Sequence, residues 1–298
     1  MGRHSGFICL ELQAAKDPAA GLASGSQMDV GACSDVGRVG RNNEDYFLTA
    51  PEMNLHVLSD GMGGMASGEI ASRLTVETIR THCLEASANP SLAFVGKRIA
   101  GISEVSNRLA SGIQLANQIV HKSARETADH RKMGATVVAV QCMDGRMSIA
   151  HVGDSRAYRL RGGYLEQLTR DHSFLAELRQ QRPSEHESSS SNLHHLLTRA
   201  VGVEPGVEVD VRDELFMEND TVLLCSDGLT RELSDSEITG VLHDAGHAQE
   251  AADQLVALAN EAGGRDNITA IVIRYASKES GRTISASRLA KWFCGRRN

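Results

Sequence analysis

The chain has 298 residues and carries 31 Lys or Arg against 38 Asp or Glu, a formal net charge of −7. This acidic balance disfavours a general nucleic-acid binder, which would present a basic face. A hydrophobic content of 41% is ordinary for a globular chain, and no apolar run approaches the ~20 residues that a membrane-spanning helix needs.

The strands are predicted from short apolar runs. Residues 1–27 show no sustained hydrophobic period, so we interpret them as a loose N-terminal extension, and Met28 begins the first strand-like segment. Several of the later runs are apolar on both faces, which is typical of sheets covered on both sides. The further predicted strands lie at 45–49, 54–59, 136–142, 146–152, 155–160, 221–226 and 268–274.

Helices are predicted between these strands. Apolar residues recur at helical spacing over 76–83, in a long stretch over 99–120, and again over 248–259. Ser234 and Glu237 form a capping box that opens a helix over 235–243. The order of strands and helices is not a regular βαβ alternation, and it predicts antiparallel sheets packed together with helices outside.

Carboxylates stand at the ends of several predicted strands. Two apolar runs end in Ser-Asp-Gly, at Asp60 and Asp227, while Asp154 follows a third run and Asp266 precedes the last. A single Asp-Gly is more often a hairpin turn than a ligand. If these ends converge, however, the carboxylates would repel one another unless a cation were bound. An all-oxygen ligand set suits Mg²⁺, Mn²⁺ or Ca²⁺ and disfavours zinc.

A competing hypothesis starts from the glycines after Asp60. Residues Gly61 to Ala66 fit G-x-G-x-x-A after a strand and before a helix, the fingerprint of a dinucleotide-binding oxidoreductase. Asp60 directly abuts the first glycine, where a pyrophosphate would lie. A second helical stretch follows instead of the second strand of a βαβ unit, which also counts against this alternative.

Eight short motifs then occur in one order along the chain. They are RNNED from Arg41, SDGMGG from Ser59, MGAT from Met133, HVGDSRAY from His151, LTRDHS from Leu168, LTRAVG from Leu197, SDGL from Ser226 and RDNIT from Arg265. Together they resemble the metal-dependent, type 2C Ser/Thr protein phosphatase family in its bacterial form. The resemblance runs from about Met28 to about Tyr275, so residues 28–276 are expected to form the phosphatase domain.

The resemblance implies an α+β fold in which two antiparallel β-sheets pack as a sandwich, flanked by helices on both sides in α-β-β-α layers. It also implies two Mn²⁺ or Mg²⁺ ions, with a third, weaker one. Asp60 would bridge two ions, the Gly61 carbonyl would bind one of them, and Asp227 and Asp266 would complete the other shell.

The resemblance assigns further residues to the same centre. Glu44 and Asp45 would hold metal-coordinated water, either by direct contact or by supporting the groups that contact it. Asp154 matches the acid that helps bind the third ion, and Asn267 would support the site by hydrogen bonding. Asp60, Asp227, Asp266 and Asn267 are therefore the candidate catalytic residues.

The implied activity is hydrolysis of phosphoserine and phosphothreonine in proteins by hydroxide activated at the binuclear centre. The expected partners are phosphorylated proteins and a cognate Ser/Thr kinase, with no nucleic acid and no transmembrane segment. The six cysteines are scattered without a C-x-x-C pair, which indicates reduced core thiols and a cytoplasmic location.

The chain departs from the family pattern at two positions. Members usually place a phosphate-binding Arg five residues before the Asp of the first motif, where this chain has Gly40 between Arg38 and Arg41. Arg41 or Arg38 is the candidate replacement. Met62 stands where some members carry a proton-donating His, which leaves the general acid unassigned. Gly40 keeps open a second alternative, a non-catalytic regulatory or binding domain on the same fold.

Two segments lie beside or beyond this core. Residues 172–198 correspond to a variable flap with a Ser-rich centre, and His194 and His195 lie within it. The tail over 277–298 is basic and has an apolar helical face, which makes it a candidate for contact with a membrane surface or a partner. A packed or frayed end is the commoner fate of so short a tail.

Overall fold

The structure is a computed structural model that describes residues 8–9, 26–63, 67–126, 133–181 and 196–277. Its strands are β1 (Ile8–Cys9), β2 (Ser26–Asp35), β3 (Asp45–Ala50), β4 (Leu55–Met62), β5 (Gly134–Ala135), β6 (Val137–Met143), β7 (Arg146–Val152), β8 (Arg156–Arg161), β9 (Tyr164–Gln167), β10 (Asp210–Leu215), β11 (Thr221–Cys225) and β12 (Ile268–Ser277). Its α-helices are α1 (Ser67–Ala88), α2 (Glu104–Glu126), α3 (Phe174–Gln181), α4 (Asp227–Thr230), α5 (Asp235–Asp244) and α6 (Ala248–Ala262), and a 3₁₀ turn covers Pro51–Met53.

The strands form two antiparallel sheets. Sheet A has the order β1-β2-β12-β11-β8-β9, and sheet B has the order β10-β7-β6-β4-β3, with the short β5 paired to the end of β4. All the strand pairs are antiparallel. This arrangement confirms the predicted α+β sandwich. It also removes the dinucleotide-binding hypothesis, because β4 is antiparallel to its neighbours and opens no parallel βαβ unit.

Side chains that alternate along the strands build three apolar layers. Leu58 and Ile149 of sheet B pack between the sheets with Leu224 and Ile271 of sheet A. The other face of sheet B packs against α1 and α2, and the other face of sheet A packs against α5 and α6. The order of layers is therefore helices, sheet, sheet, helices. The strands of both sheets are apolar on two faces because each sheet is covered by helices on one face and by the other sheet on the other.

Helix α2 begins at Glu104, several residues after the predicted start of the long helical stretch. Oδ1 of Asn107 accepts the Ile99 N–H at 2.8 Å, and its Nδ2 donates to the Ile99 carbonyl at 3.2 Å, which folds the preceding segment back onto the first turn. Asp213 also accepts the Ser103 N–H at 2.6 Å and the Ser106 hydroxyl at 2.6 Å, which fixes the helix start.

The strands β9 and β10, at the two sheet edges, were not predicted. Charged side chains of these two strands form ion pairs with each other and with Arg159 of β8. Arg159 contacts Glu166 at 2.6 Å and Glu214 at 3.0 Å, and Arg212 contacts both acids as well. Charge on an edge strand discourages pairing with other chains and also erases the apolar alternation on which prediction depends.

Three further expectations concern a helix cap, the first strand and membrane-spanning helices. The capping box of Ser234 and Glu237 is present, and α5 follows it as predicted. Strand β2 begins at Ser26, two residues before the predicted start, and β1 pairs with it inside the segment interpreted as a loose extension. Across the described ranges, no helix is both long enough and apolar enough to cross a membrane.

Candidate metal centre

The acidic strand ends meet at one end of the sandwich. In sheet B, Asp45 opens β3 and is the direct cross-strand partner of Asp60 in β4. In sheet A, Asp227 follows β11 and Asp266 precedes β12, and these two strands are antiparallel neighbours. Asp154 stands between β7 and β8 and contributes to the same electrostatic cluster, since its charge raises the pKa of both Asp60 and Asp227.

Asp45 is buried and joins the two sheets. Its Oδ2 accepts hydrogen bonds from the Ser226 hydroxyl at 2.8 Å and from the Thr269 hydroxyl at 2.7 Å, both on sheet A. Burial raises the pKa of Asp45 to about 6, and the negative charges of Asp266 and Glu44 act in the same direction. The second carboxylate oxygen, Oδ1, is buried and has no hydrogen-bond partner among the described residues.

Asp60 is held through its backbone and leaves its carboxylate for the site. Its N–H donates to the Thr136 hydroxyl at 3.0 Å, its carbonyl accepts the Thr136 N–H at 2.8 Å, and the Thr136 hydroxyl also bonds Ser155 at 2.7 Å. Desolvation raises the pKa of Asp60 well above its ordinary value, and the charges of the neighbouring aspartates raise it further.

Asp227 and Asp266 share one cation of the chain, the Arg231 guanidinium. Arg231 contacts the Asp227 carboxylate closely and lies 2.8 Å from Oδ2 of Asp266. Burial still raises the pKa of Asp227 well above its ordinary value, and repulsion from Asp154 raises it by more than the Arg231 charge lowers it. Asp227 Oδ1 is a second buried carboxylate oxygen without a hydrogen-bond partner in the part of the chain that the structure describes.

Asn267 ties the first acidic loop to the last strand. Its Oδ1 accepts the Glu44 N–H at 2.7 Å, and its Nδ2 donates to the carbonyls of Val36 and Asn42, both at 3.0 Å. The Glu44 carbonyl in turn accepts the Gly61 N–H at 3.1 Å. Burial raises the pKa of Glu44, followed by repulsion from Asp266.

Gly61 occupies a position that only glycine can fill. A Cβ atom there would lie 2.0 Å from the carbonyl oxygen of Gly68 and 2.8 Å from that of Glu44. The absence of a side chain therefore lets the end of β4 approach both the start of α1 and the acidic loop.

The residues at this end of the sandwich fit divalent cations. Six carboxylates here offer only oxygen atoms, which Mg²⁺ and Mn²⁺ prefer, and two of these oxygens are buried without a hydrogen-bond partner in the described ranges. Burial raises the pKa values of Asp45, Asp60 and Asp227, and the negative charges of neighbouring acids raise them further. Bound cations would remove that repulsion. The carboxylates are Glu44, Asp45, Asp60, Asp154, Asp227 and Asp266.

Two cavities adjoin the carboxylates, and Asp266 lines both. The smaller, of about 310 Å³, is lined by Arg41 together with Asn42, Glu44, Asp60 and Asn267, among others. The larger, of about 660 Å³, lies between α3 and α4 and contains the side chains of Arg156, Arg179, Arg231 and Arg265.

The two candidate phosphate-binding arginines differ in their positions. Arg41 is exposed and lines the smaller cavity beside the acids. Arg38 lies against Gly264, whose carbonyl accepts the Arg38 N–H at 2.6 Å, and it lines neither of the two cavities. Gly40, at the position of the usual arginine, also lines the smaller cavity.

Sequence reasoning missed the residues that hold the acids in place. The Asp60 backbone is held by Thr136, and the Asp45 carboxylate is held by Ser226 and Thr269. Two further aspartates, Asp227 and Asp266, form ion pairs with Arg231. Each of these supporting residues lies in or next to a quoted motif, so its position was visible although its contact was not. Arg231 follows Asp227 by four residues, the spacing of a helical ion pair. His194, His195 and residues 64–66, the end of the G-x-G-x-x-A stretch, lie outside the described residues.

The sequence profile described as protein phosphatase 2C matches residues 36–271, which contain every residue of this centre. The chain belongs to that family. As a type 2C phosphatase it is a metal-dependent serine/threonine phosphoprotein phosphatase.

Similar proteins extend over nearly the same region. The chain is 34% identical over 256 residues to the serine/threonine phosphatase stp of Listeria welshimeri, an alignment that covers 85% of this chain and 98% of that protein. A solved structure of PppA, described as a key regulatory component of T6SS in Pseudomonas aeruginosa, is 34% identical with a TM-score of 0.69, covering 84% of this chain and 99% of that one.

The catalytic domain of the serine threonine protein phosphatase PstP, solved in complex with two manganese ions, is also similar to this type 2C phosphatase. It is 30% identical with a TM-score of 0.70, and the match covers 85% of this chain and all of that chain. These comparisons confirm the predicted family, fold and enzyme class.

Proposed function

We propose that this type 2C phosphatase hydrolyses phosphoserine and phosphothreonine in proteins at a binuclear Mn²⁺ or Mg²⁺ centre, within a catalytic unit of residues 28–276. The observation that carries the proposal is the convergence of the acidic strand ends, where buried carboxylate oxygens of Asp45 and Asp227 have no hydrogen-bond partner among the described residues. The manganese-containing relative supports it.

Each carboxylate has a distinct part in holding the cations. Asp60 and the Gly61 carbonyl would hold the ions from sheet B, and Asp227 and Asp266 would hold them from sheet A. Asp154, together with Asp227, would bind a third, weaker one. Such ions lower the pKa of coordinated water and neutralise charge on phosphoryl oxygens.

Several residues of the chain orient this ligand set. Asp45 is fixed by Ser226 and Thr269, so one of its oxygens is anchored while the other is buried without a hydrogen-bond partner among the described residues. Asn267 fixes the loop that carries Glu44. Glu44 and Asp45 would thereby accept hydrogen bonds from water and keep the attacking oxygen in line with the phosphorus.

Arg41 is the residue that we assign to the substrate phosphate. It lines the cavity that Asp60 and Glu44 share, and a guanidinium can bind two phosphoryl oxygens at once. Arg38 packs against Gly264 and serves the loop instead. The larger cavity beside α3 has room for the peptide that flanks the phosphorylated residue.

The cellular setting follows from the same chemistry. A phosphoprotein phosphatase acts on the products of a Ser/Thr kinase, so we propose a cognate kinase as the functional partner. Within the described residues, four cysteines are buried and stand in no disulfide, which fits the reducing cytoplasm: Cys33, Cys83, Cys142 and Cys225.

Phosphate release tests the proposal. Purified protein would be given a phosphothreonine peptide, or p-nitrophenyl phosphate, across a Mn²⁺ titration at neutral pH. We expect Mn²⁺-dependent release from the peptide, and a loss of at least about a thousandfold in kcat with Asp60→Asn or Asp227→Asn, since each change removes a charged metal ligand. Asp244→Asn, an exposed change on α5, is the matched control.

Two results would count against the proposal. Wild-type activity no greater than that of the two variants would remove the catalytic assignment and favour a non-catalytic binding domain. Activity on the small ester without activity on any phosphopeptide would keep the metal centre but exclude phosphoproteins as substrates.

A further inference from the structure

A second cluster of polar side chains lies outside the acidic centre. His151 of β7, His172 before α3 and Asp210 of β10 place ligand-type atoms within 4.8 Å of one another. The two imidazole rings stack with their centroids 4.7 Å apart and their planes 21° from parallel. The cluster adjoins the loop that carries Asp154, and none of its members has a part in the proposed hydrolysis.

His172 binds both backbone groups of one glycine in that loop. Its N–H donates to the Gly153 carbonyl at 2.9 Å, and its Nδ1 accepts the Gly153 N–H at 3.1 Å. Gly153 has φ of +105°, and a Cβ there would lie 2.6 Å from the Thr136 side chain. The residue before Asp154 is therefore fixed on one side by His172 and on the other by Thr136, which also holds Asp60.

The backbone of His172 also fixes the base of the segment that follows. Its carbonyl accepts the Thr198 N–H at 2.9 Å, and the Phe174 N–H donates to the Leu196 carbonyl at 2.8 Å. These bonds bring together the two ends of the stretch over 174–196. His172 thus joins the base of that stretch to the Asp154 loop.

The hydrogen bonds decide which ring nitrogen carries the proton. Nδ1 of His172 is an acceptor, so the neutral ring carries its proton on Nε2. Nε2 lies 3.2 Å from Oδ2 of Asp210, outside ideal hydrogen-bond geometry but close enough for the carboxylate to favour a proton there. Arg199 holds the other oxygen of Asp210 at 2.6 Å.

The same tautomer argues against a metal ion in this cluster. A metal on Nε2 would leave the ring proton on Nδ1, because a metal-bound histidine donates from its other nitrogen. That proton would oppose the Gly153 N–H. Nε2 of His151 is also occupied, since it lies 2.8 Å from the Arg170 carbonyl.

We propose that His172 is a positioning residue that acts as the neutral Nε2–H tautomer, oriented by Asp210, to hold the Asp154 loop in register with the acidic centre. The contacts alone carry the tautomer of His172 and its hold on Gly153. The expectation that this hold strengthens Mn²⁺ binding at Asp154 rests on the proposed function.

Two measurements on the folded protein test the structural part. Nitrogen NMR of wild-type protein labelled at histidine should show Nε2–H for His172. Amide exchange at Gly153 should be slow, and His172→Ala should speed it about tenfold through loss of its acceptor. His172→Asn keeps an acceptor oxygen at the Nδ1 position and should stay within about threefold of wild type. His243→Asn, on an exposed histidine of α5, is the matched control.

The consequence for metal use is tested by direct Mn²⁺ binding alongside activity. We expect His172→Ala to weaken the weakest Mn²⁺ site about tenfold, with little change in the KM for the peptide, and His172→Asn to restore most of the affinity. An inactive wild-type protein would contradict the proposed function, whereas the tautomer and exchange results would still decide the role of His172.

Three results would overturn the positioning role. They are an Nδ1–H tautomer in the wild-type protein, unchanged Gly153 exchange in His172→Ala, and an equal loss in His172→Asn and His172→Ala. If His172→Ala fails to fold, the tautomer and His172→Asn still settle the question.

Discussion

Asp45 and Asp60 are direct cross-strand partners in β3 and β4, so two carboxylates lie side by side at one end of sheet B. Like charges at such positions destabilise a sheet. Asp45 is anchored by two hydroxyls of sheet A, whereas Asp60 is held through its backbone by Thr136. The metal-free fold therefore carries repulsion that bound cations would relieve.

Removing one of these charges should stabilise the metal-free protein. We expect Asp60→Asn to raise the free energy of unfolding in EDTA at neutral pH by roughly 1 kcal/mol, because it deletes a repelled charge without deleting a hydrogen bond. Mn²⁺ at about 100 times its Kd should stabilise wild type by about 2.7 kcal/mol and the variant much less. Urea unfolding measures both effects.

The control for this prediction is a buried aspartate that is paired. Asp220 accepts two hydrogen bonds from Arg161, both at 2.7 Å, and one from the Met217 N–H at 2.7 Å. Asp220→Asn should therefore destabilise the protein, the opposite sign to Asp60→Asn. Destabilisation of the metal-free protein by both variants would contradict the claim that the Asp60 charge is repelled.

A buried histidine makes the fold sensitive to acid. His56 lies in β4, fully buried, and neither ring nitrogen has a hydrogen-bond partner in the described structure. Burial lowers the pKa of His56 from 6.5 to about 4. The unfolded chain therefore takes up a proton before the native protein does, and stability present above pH 6.5 is lost as the pH falls towards 4.

His56→Leu should abolish this component. Between pH 7.5 and pH 5, the free energy of unfolding of the wild-type protein should fall by about 2 kcal/mol more than that of the variant. Linkage gives up to ~1.4 kcal/mol per pH unit. Urea unfolding of both proteins at the two pH values gives the difference, in which the acids common to both cancel. Parallel pH profiles would show that His56 titrates normally.

Asn267 should act as the support of the acidic loop. Asn267→Ala removes one accepted and two donated hydrogen bonds, which should cost about 2–3 kcal/mol and lower kcat/KM about a hundredfold. Asn89→Ala, which removes an exposed turn contact, is the control. Thermal melting and steady-state kinetics give the two quantities. A loss of activity in Asn267→Ala no larger than in the control would exclude this role.

The two arginines beside Gly40 should differ in their effects. Arg41→Ala should raise KM for a phosphothreonine peptide about tenfold, with partial recovery in Arg41→Lys, because it lines the cavity with Asp60. Arg38→Ala should raise KM less than about threefold, since its N–H and side-chain stem contact the loop at Gly264. Equal effects of both changes would contradict the assignment.

The sequence predicted the parts of the molecule that local pattern determines. Apolar strands that end in aspartate, such as those before Asp60 and Asp227, are visible in a few residues, as is the capping box at Ser234. Together with the ordered motifs they were sufficient for the fold and the family. Strand β10 escaped prediction because it lies at a sheet edge and its charges pair with β8 and β9.

The contacts that support the site are long-range, so the sequence alone could not predict them. Thr269 binds Asp45 across 224 positions of the chain, and Asn267 binds the Glu44 backbone across 223. His172 and Gly153 are closer in sequence, but their bond depends on how β7 and the start of α3 meet. Such contacts follow from sheet topology, which sequence periodicity does not specify.

The number of Mn²⁺ ions bound per chain tests the central claim most directly. Equilibrium dialysis of wild-type protein at neutral pH, followed by elemental analysis, should give about two tightly bound ions, as a binuclear hydrolytic centre requires. The Asp60→Asn, Asp227→Asn double variant, if folded as the wild type, should retain fewer than about one. A wild-type protein that binds no Mn²⁺, or a double variant that binds as many ions as wild type, would contradict the account.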